Sequence, residues 1–122
     1  MEFENLIAYQ KAYNNAMSIF EISKSFPTVE KYAVTDQIRR SSRSVCANIA
    51  EAYRKRRYPK HFISKLTDAD GENSETAVWI RFALDCNYIK KEHFDSIYSE
   101  TLEIGKLINY MINNPNKFGC GI

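Results

Sequence analysis

Between Arg39 and His61 the sequence sets eight cationic side chains, Arg39, Arg40, Arg43, Arg54, Lys55, Arg56, Arg57 and Lys60, against a single acid, Glu51. That segment sums to +7 in a chain whose net charge is +2, so the remainder sums to −5. Six of the seven arginines lie between Arg39 and Arg57, and arginine is the side chain whose planar fork matches phosphate oxygens two at a time. Tyr53, Tyr58 and His61 stand beside the block, and aromatic rings stack on unpaired bases. The chemistry implied is non-covalent binding of a polyanion, with RNA or single-stranded nucleic acid the best match. Arg39, Arg43, Arg54, Lys55, Arg56, Arg57 and Lys60 are the candidate nucleic-acid-binding residues. A solvated face that only keeps the chain soluble would have the same composition.

Residues for catalysis or metal binding are sparse. The chain has no Gly-rich phosphate loop and no GxSxG. Its histidines are His61 and His93, and Cys46, Cys86 and Cys120 form no CxxC pair. Cys46 falls near an apolar helix side, where a structural thiol is expected rather than a nucleophile. Asp68, Asp70, Glu72 and Glu75 form an acidic group, but di-iron bundles need a Glu-x-x-His on two helices. Here Glu51 is followed by Arg54, and Glu72 by Glu75. The expectation is no catalytic residue, no metal and no cofactor, with the acidic group facing the basic stripe of a neighbouring subunit.

Four amphipathic helices must position these residues. At about 100° per residue, the first runs from Glu4 to Ser25 with Leu6, Tyr9, Tyr13, Ala16 and Phe20 on one stripe. Phe26-Pro27 ends it, because the residue before proline avoids the α region. Thr28 is a candidate cap for the second, with Glu30 near its positive end. The second runs to Arg57 and buries Val34, Ile38, Ser41, Val45, Ile49 and Ala52. Arg39, Arg43, Arg54 and Arg57 then share a solvent-facing stripe within about 60° of one another. The third starts at Pro59 and continues to Asn87, with Phe62, Leu66, Ala69, Ala77, Ile80 and Leu84 inward and Gly71 as a weak point costing about 1 kcal/mol in helix propensity. The fourth, Lys90 to Asn113, buries Phe94, Ile97, Ile104, Ile108, Met111 and Ile112. Short connections make consecutive helices antiparallel. The fold expected is all-α, an up-down-up-down four-helix bundle, one domain over residues 1–122 with a tail fraying from about residue 114.

The third helix carries apolar surface beyond one bundle's needs. Val78, Trp79 and Phe82 lie off its core stripe, which marks a contact with another copy and makes Trp79 the anchor. An irregular bundle that folds them into its own core is the alternative. Arg40, Ser44, Asn48 and Glu51 form a polar line on the second helix. Of these, Arg40, Asn48 and Glu51 are further interface candidates, or plain surface in which Glu51 pairs with Lys55. At 44% hydrophobic and 26% charged residues the chain is an ordinary globular sequence, not a disordered one. No apolar run reaches membrane-spanning length, and Met1 to Asn5 shows no basic-then-apolar leader pattern. With an odd number of cysteines outside any framework, a cytoplasmic location and no membrane partner are expected.

An ordered set of residues adds a family likeness. Phe3-Glu4-Asn5-Leu6, Phe26-Pro27-x-x-Glu30-x-Tyr32, Gln37-Ile38-Arg39-Arg40-Ser41 and Ala47-Asn48-Ile49-Ala50-Glu51 are its main parts. Ala69-Asp70-Gly71, Glu75 and Asn87-Tyr88-Ile89 follow in order. Over residues 3 to 113 the chain resembles the four-helix-bundle proteins encoded in intervening sequences of bacterial 23S rRNA genes. The accessory variability protein of diversity-generating retroelements is similar. The resemblance implies a ring-like homopentamer. In the retroelement relatives it implies a basic surface that binds nucleic acid and a reverse transcriptase. Ala52 stands where the family usually has Gly, and Gly71-Glu72 where it usually has Gly-Ser; Glu72 weighs against nucleic acid on the third helix. Two functions follow. One is a non-catalytic RNA- or nucleic-acid-binding protein acting through helix two. The other is an oligomeric scaffold for a nucleic-acid-processing partner, such as a reverse transcriptase or a ribosome-related protein.

Overall fold

The computed structural model describes residues 2–120 and contains four α-helices: α1 Ile7–Ser23, α2 Val34–Arg54, α3 Pro59–Asp85 and α4 Lys91–Asn113. Among the described residues there is no strand, and no helix is long and apolar enough to cross a membrane. Side-chain pairings fix the directions. The end of α1 meets the start of α2 through Arg39 and Ser23, and Glu51 near the end of α2 reaches Lys65 early in α3. Asp70 and Asn73 of α3 bond to Asn109 and Thr101 of α4 in reversed order along the chain. Lys11 and Asn15 of α1 close the circuit onto Glu100 and Thr101. The helices therefore alternate up, down, up, down.

Local chemistry explains the boundaries. Thr28 begins a short 3-10 turn, Thr28–Glu30, and its side chain caps nothing. The group at the N-terminus of α2 is the Glu30 carboxylate, 3.5 Å from the Val34 N–H, where the helix dipole favours negative charge. Tyr88 donates its hydroxyl to the same carboxylate, which holds the tyrosine pKa up near 12 and ties this corner to the α3–α4 turn. Pro59 occupies the first turn of α3, where its missing N–H costs nothing. At the far end Asn87 has φ 64°, the left-handed conformation that Asn tolerates better than most residues. Tyr88 N–H then reaches Ala83 C=O and Asn87 N–H reaches Leu84 C=O, the paired closing bonds of a Schellman motif.

The core is two apolar clusters with a polar layer between them. One cluster holds Leu6, Val45, Ile49, Phe62, Leu66, Ile104, Ile108 and Met111; the other holds Ile19, Phe26, Val34, Ile38, Ile80, Phe94 and Ile97. Between them Asn15 donates to Thr101 Oγ1 at 3.0 Å, Asn73 to the Thr101 carbonyl at 2.8 Å, and Thr76 to Ser41 Oγ at 2.8 Å. Every buried side-chain polar atom among the described residues has a partner, so the layer avoids the penalty of unpaired groups. Gly105 makes room for it: a Cβ there would lie 3.3 Å from Asn73 Nδ2.

Several expectations need correction. On α1 the buried residues are Ala8, Ala12, Asn15, Ala16, Ile19 and Ser23, while Tyr13 is exposed and Tyr9 and Phe20 are half-buried. The alanines of α1 face the core, and its rings stay at the edge. Helix α2 ends three residues short of Arg57, and α3 runs through Gly71 unbroken. On α3, Ala77 and Leu84 are half-buried, and Asn73, Thr76 and Ala83 take the inward positions. The tail does not fray at residue 114. Pro115–Phe118 forms another 3-10 turn, Gly119 turns left-handed with φ 81°, and Cys120 is fully buried in the first cluster. Gly121 and Ile122 lie outside the described residues.

Candidate nucleic-acid interface

On α2 the apolar stripe is as the periodicity implies: Val34, Ile38, Ser41, Val45, Ile49 and Ala52 are all buried. The opposite side therefore faces outward, but its cations are not equivalent. Arg39 is half-buried, donating Nε to Ser23 Oγ at 2.8 Å and Nη2 to the Phe20 carbonyl at 3.4 Å. Its guanidinium lies 4.8 Å from the Phe20 ring centroid, and that of Arg43 lies 5.5 Å from it. Lys24 Nζ lies 4.9 Å from the same centroid, so one ring meets three cations. Arg43, Arg54, Arg57 and Lys60 are exposed, and none forms an ion pair among the described residues. Lys55 is half-buried just past the end of α2.

Arg56 has a different task. Its guanidinium sits 3.6 Å from the Tyr53 ring centroid, and it donates to the carbonyls of Tyr53 at 2.7 Å and Phe118 at 3.3 Å. It pins the C-terminal turn to the end of α2. Tyr53 is only 5% exposed and has Arg56 against its ring, so it presents no platform for a base. Tyr58 is exposed and packs on His61 with centroids 5.6 Å apart.

The polar line of α2 turns toward α3. Arg40 donates to Glu72 Oε2 at 2.8 Å and lies 2.6 Å from Glu75 Oε2. The Arg40 hydrogen bond draws the Glu75 carboxyl below its ordinary pKa, and Trp79 Nε1–H, 3.2 Å away, adds to this. Asp70 accepts from Asn109. Glu72 and Glu75 thus meet a cation of their own chain, contrary to the idea that the acidic group is free for a neighbour's basic stripe. Glu51 pairs with Lys65 of α3 at 3.1 Å rather than with Lys55, and Asn48 donates to the Ser44 carbonyl. Beyond them on α3, Val78 and Phe82 are 51% and 49% exposed. Trp79 is half-buried, packed against the second cluster and 5.7 Å from the Phe82 ring.

Between α1 and α2 runs a groove of about 410 Å³ that the periodicity alone does not reveal. Phe3, Tyr9, Tyr13 and Met17 form one wall, Cys46, Ala47 and Ala50 the other, and Arg43 lines it too. Burial pushes the Cys46 thiol up to about 11, so it is a neutral lining group at physiological pH. Among the described residues no cluster of three or more His, Cys, Asp or Glu side chains could hold a metal.

The sequence model described as 23S rRNA-intervening sequence protein matches residues 4–110. The chain belongs to that family. A solved Bacteroides thetaiotaomicron protein of unknown function, from the S23 ribosomal protein family, is similar at 31% identity. The likeness covers 88% of this chain and 96% of that one, with a TM-score of 0.79. No curated protein matches.

In this intervening-sequence protein the Gln37–Ser41 run that carries the likeness does its work inside the bundle. Arg39 binds α1, Arg40 binds α3 and Ser41 accepts from Thr76 in the polar layer. Ile49 and Glu51 of the second run serve the core and the α2–α3 edge. The motif residues account for the fold, and Arg43, Arg54, Arg57 and Lys60, exposed and without an ion pair among the described residues, all lie outside it.

Proposed function

We propose that this protein is a non-catalytic nucleic-acid-binding bundle that engages RNA through the outer face of α2 and the turn into α3, where Arg57 and Lys60 lie. The observation that carries this reading is that Arg43, Arg54, Arg57 and Lys60, four exposed cations without an acidic partner among the described residues, fall in one short block, on a molecule whose Arg40 is neutralised internally. Arg54 lies in the last turn of α2, where the negative end of the helix dipole further favours a cation. The test is the salt dependence of binding to labelled RNA and DNA of arbitrary sequence. Four phosphate contacts on a single strand give a slope of about −3 per protomer in log affinity against log salt. A flat salt response would remove phosphate contact from the account and leave the scaffold function, with a protein partner.

The reading includes self-association through the exposed Val78 and Phe82 beside Trp79, with Arg40, Asn48 and Glu51 on the adjoining edge. A homopentamer is the assembly that the family likeness implies. Light scattering should give a mass above the 14.2 kDa of one chain, and Phe82→Ser should lower it. A parent protein at the single-chain mass would end this part of the proposal.

A further inference from the structure

The groove between α1 and α2 stands in a particular relation to the free cations. Along α2, Arg43, Ala47, Ala50 and Arg54 fall on one side of the helix, within about 40° of Arg43 at 100° per residue. The two arginines are about 16 Å apart along the axis, and the small side chains of Ala47 and Ala50 leave the floor between them low. Opposite, the rings of Phe3, Tyr9 and Tyr13 form a column. Phe3 meets Tyr9 edge-on at 5.0 Å, and Tyr9 stacks on Tyr13 at 6.1 Å. The column ends at a Tyr13 that is 49% exposed, beside an exposed Met17. Among the described residues no acidic side chain lines the groove; Glu4 is the acid near its end, close enough to Tyr9 to help raise that tyrosine's pKa, after the larger effect of burial.

We infer that this groove seats unstacked bases of a single nucleic-acid strand, with Tyr13 as the stacking platform and Arg43 and Arg54 holding phosphates on either side. The inference rests on the nucleic-acid reading of α2 and adds to it a base site and a preference for single strands. A ligand here must bring flat apolar groups and negative charge together, alternating over a short distance, and a single strand does both. A duplex keeps its bases inside the stack, so it reaches the arginines and leaves the apolar groove unfilled. Stacking on an aromatic side chain is tolerant of base identity, so the site discriminates strandedness more than sequence.

The experiment compares a short labelled RNA without self-complementarity and its blunt duplex, titrated with the parent protein, Tyr13→Ala and Tyr13→Phe in the same salt. The parent should bind the single strand at least about fivefold more tightly than the duplex. Tyr13→Ala should lose at least about fivefold on the single strand, and Tyr13→Phe should keep the parent affinity. The duplex affinity and the salt slope should not change, because no phosphate contact has been removed. Equal binding of single strand and duplex, with Tyr13→Ala silent and salt dependence still steep, would overturn the groove and leave the α2 cations standing. Failure of the parent to bind either polymer would overturn both. A lower mass by light scattering for Tyr13→Ala would also overturn the inference, since a second copy of the chain would then be the occupant.

Discussion

Ile49→Asp should leave no cooperatively folded protein at room temperature. Ile49 is 0% exposed, faces inward from the middle of α2, and belongs to the cluster built from Phe62, Leu66, Ile104 and Ile108. None of these offers a hydrogen bond. The aspartate must therefore be buried as an unpaired charge or be protonated, and either route costs several kcal/mol on top of the lost apolar contact. A domain of this size has about 5 to 15 kcal/mol in total. Thermal melts followed by circular dichroism check this, with Ala47→Asp as the partner variant: Ala47 is exposed on the same helix, so its change should be mild. The parent spectrum should be strongly helical, as the four long helices α1 to α4 require. An Ile49→Asp protein melting with the parent would mean that α2 is rotated about its axis relative to the structure.

That rotation was legible for α2 because its sequence contrasts sharply: β-branched residues and alanine on one side, arginines on the other. The first helix lacked this contrast. Its large residues are tyrosines and phenylalanine, which serve equally as core or as half-exposed rim, and size drew the stripe toward Tyr9, Tyr13 and Phe20. Alanines at positions 8, 12 and 16, spaced by four, are the signal for the stripe that the structure buries. The polar layer was hidden for a related reason. Asn15, Asn73 and Thr101 look like surface residues until each is seen to complete another's hydrogen bonds across three helices. The tail's burial depends on Arg56 meeting the Phe118 carbonyl from 62 residues away, which no local pattern encodes.

Charge posed the same difficulty. The density of arginine between Arg39 and Arg57 was visible, but helical angle cannot separate an arginine held by its own bundle from one that is free. Arg39 shares the angular position of Arg43, yet it has a hydroxyl, a carbonyl and a ring waiting on α1. Arg40 and Arg56 are likewise committed to α3 and to the C-terminal turn. Those roles belong to the fold, so substituting all six arginines of the block together would confuse lost stability with lost binding.

A clean test therefore changes only exposed arginines. Arg54→Glu with Arg57→Glu should reduce RNA affinity by more than tenfold in moderate salt while leaving the fold intact. Both side chains are exposed and without an ion pair among the described residues, so little stability is lost beyond the modest cost of placing an acid in the last turn of α2. The substitution changes the local charge by −4, enough to bring a face built on Arg43, Arg54, Arg57 and Lys60 from +4 to zero and remove its net attraction for phosphate. In an assembly of several copies the change is repeated, and the loss of multivalent contact multiplies it. The logarithm of affinity should also fall less steeply with the logarithm of salt, by about 1.4 if each arginine neutralises one phosphate of a single strand. Anisotropy titrations at several salt concentrations, on samples of equal mass by light scattering, measure both quantities. Parallel curves for parent and variant would show that these arginines touch no phosphate. The weight would then shift to a protein partner with an acidic surface.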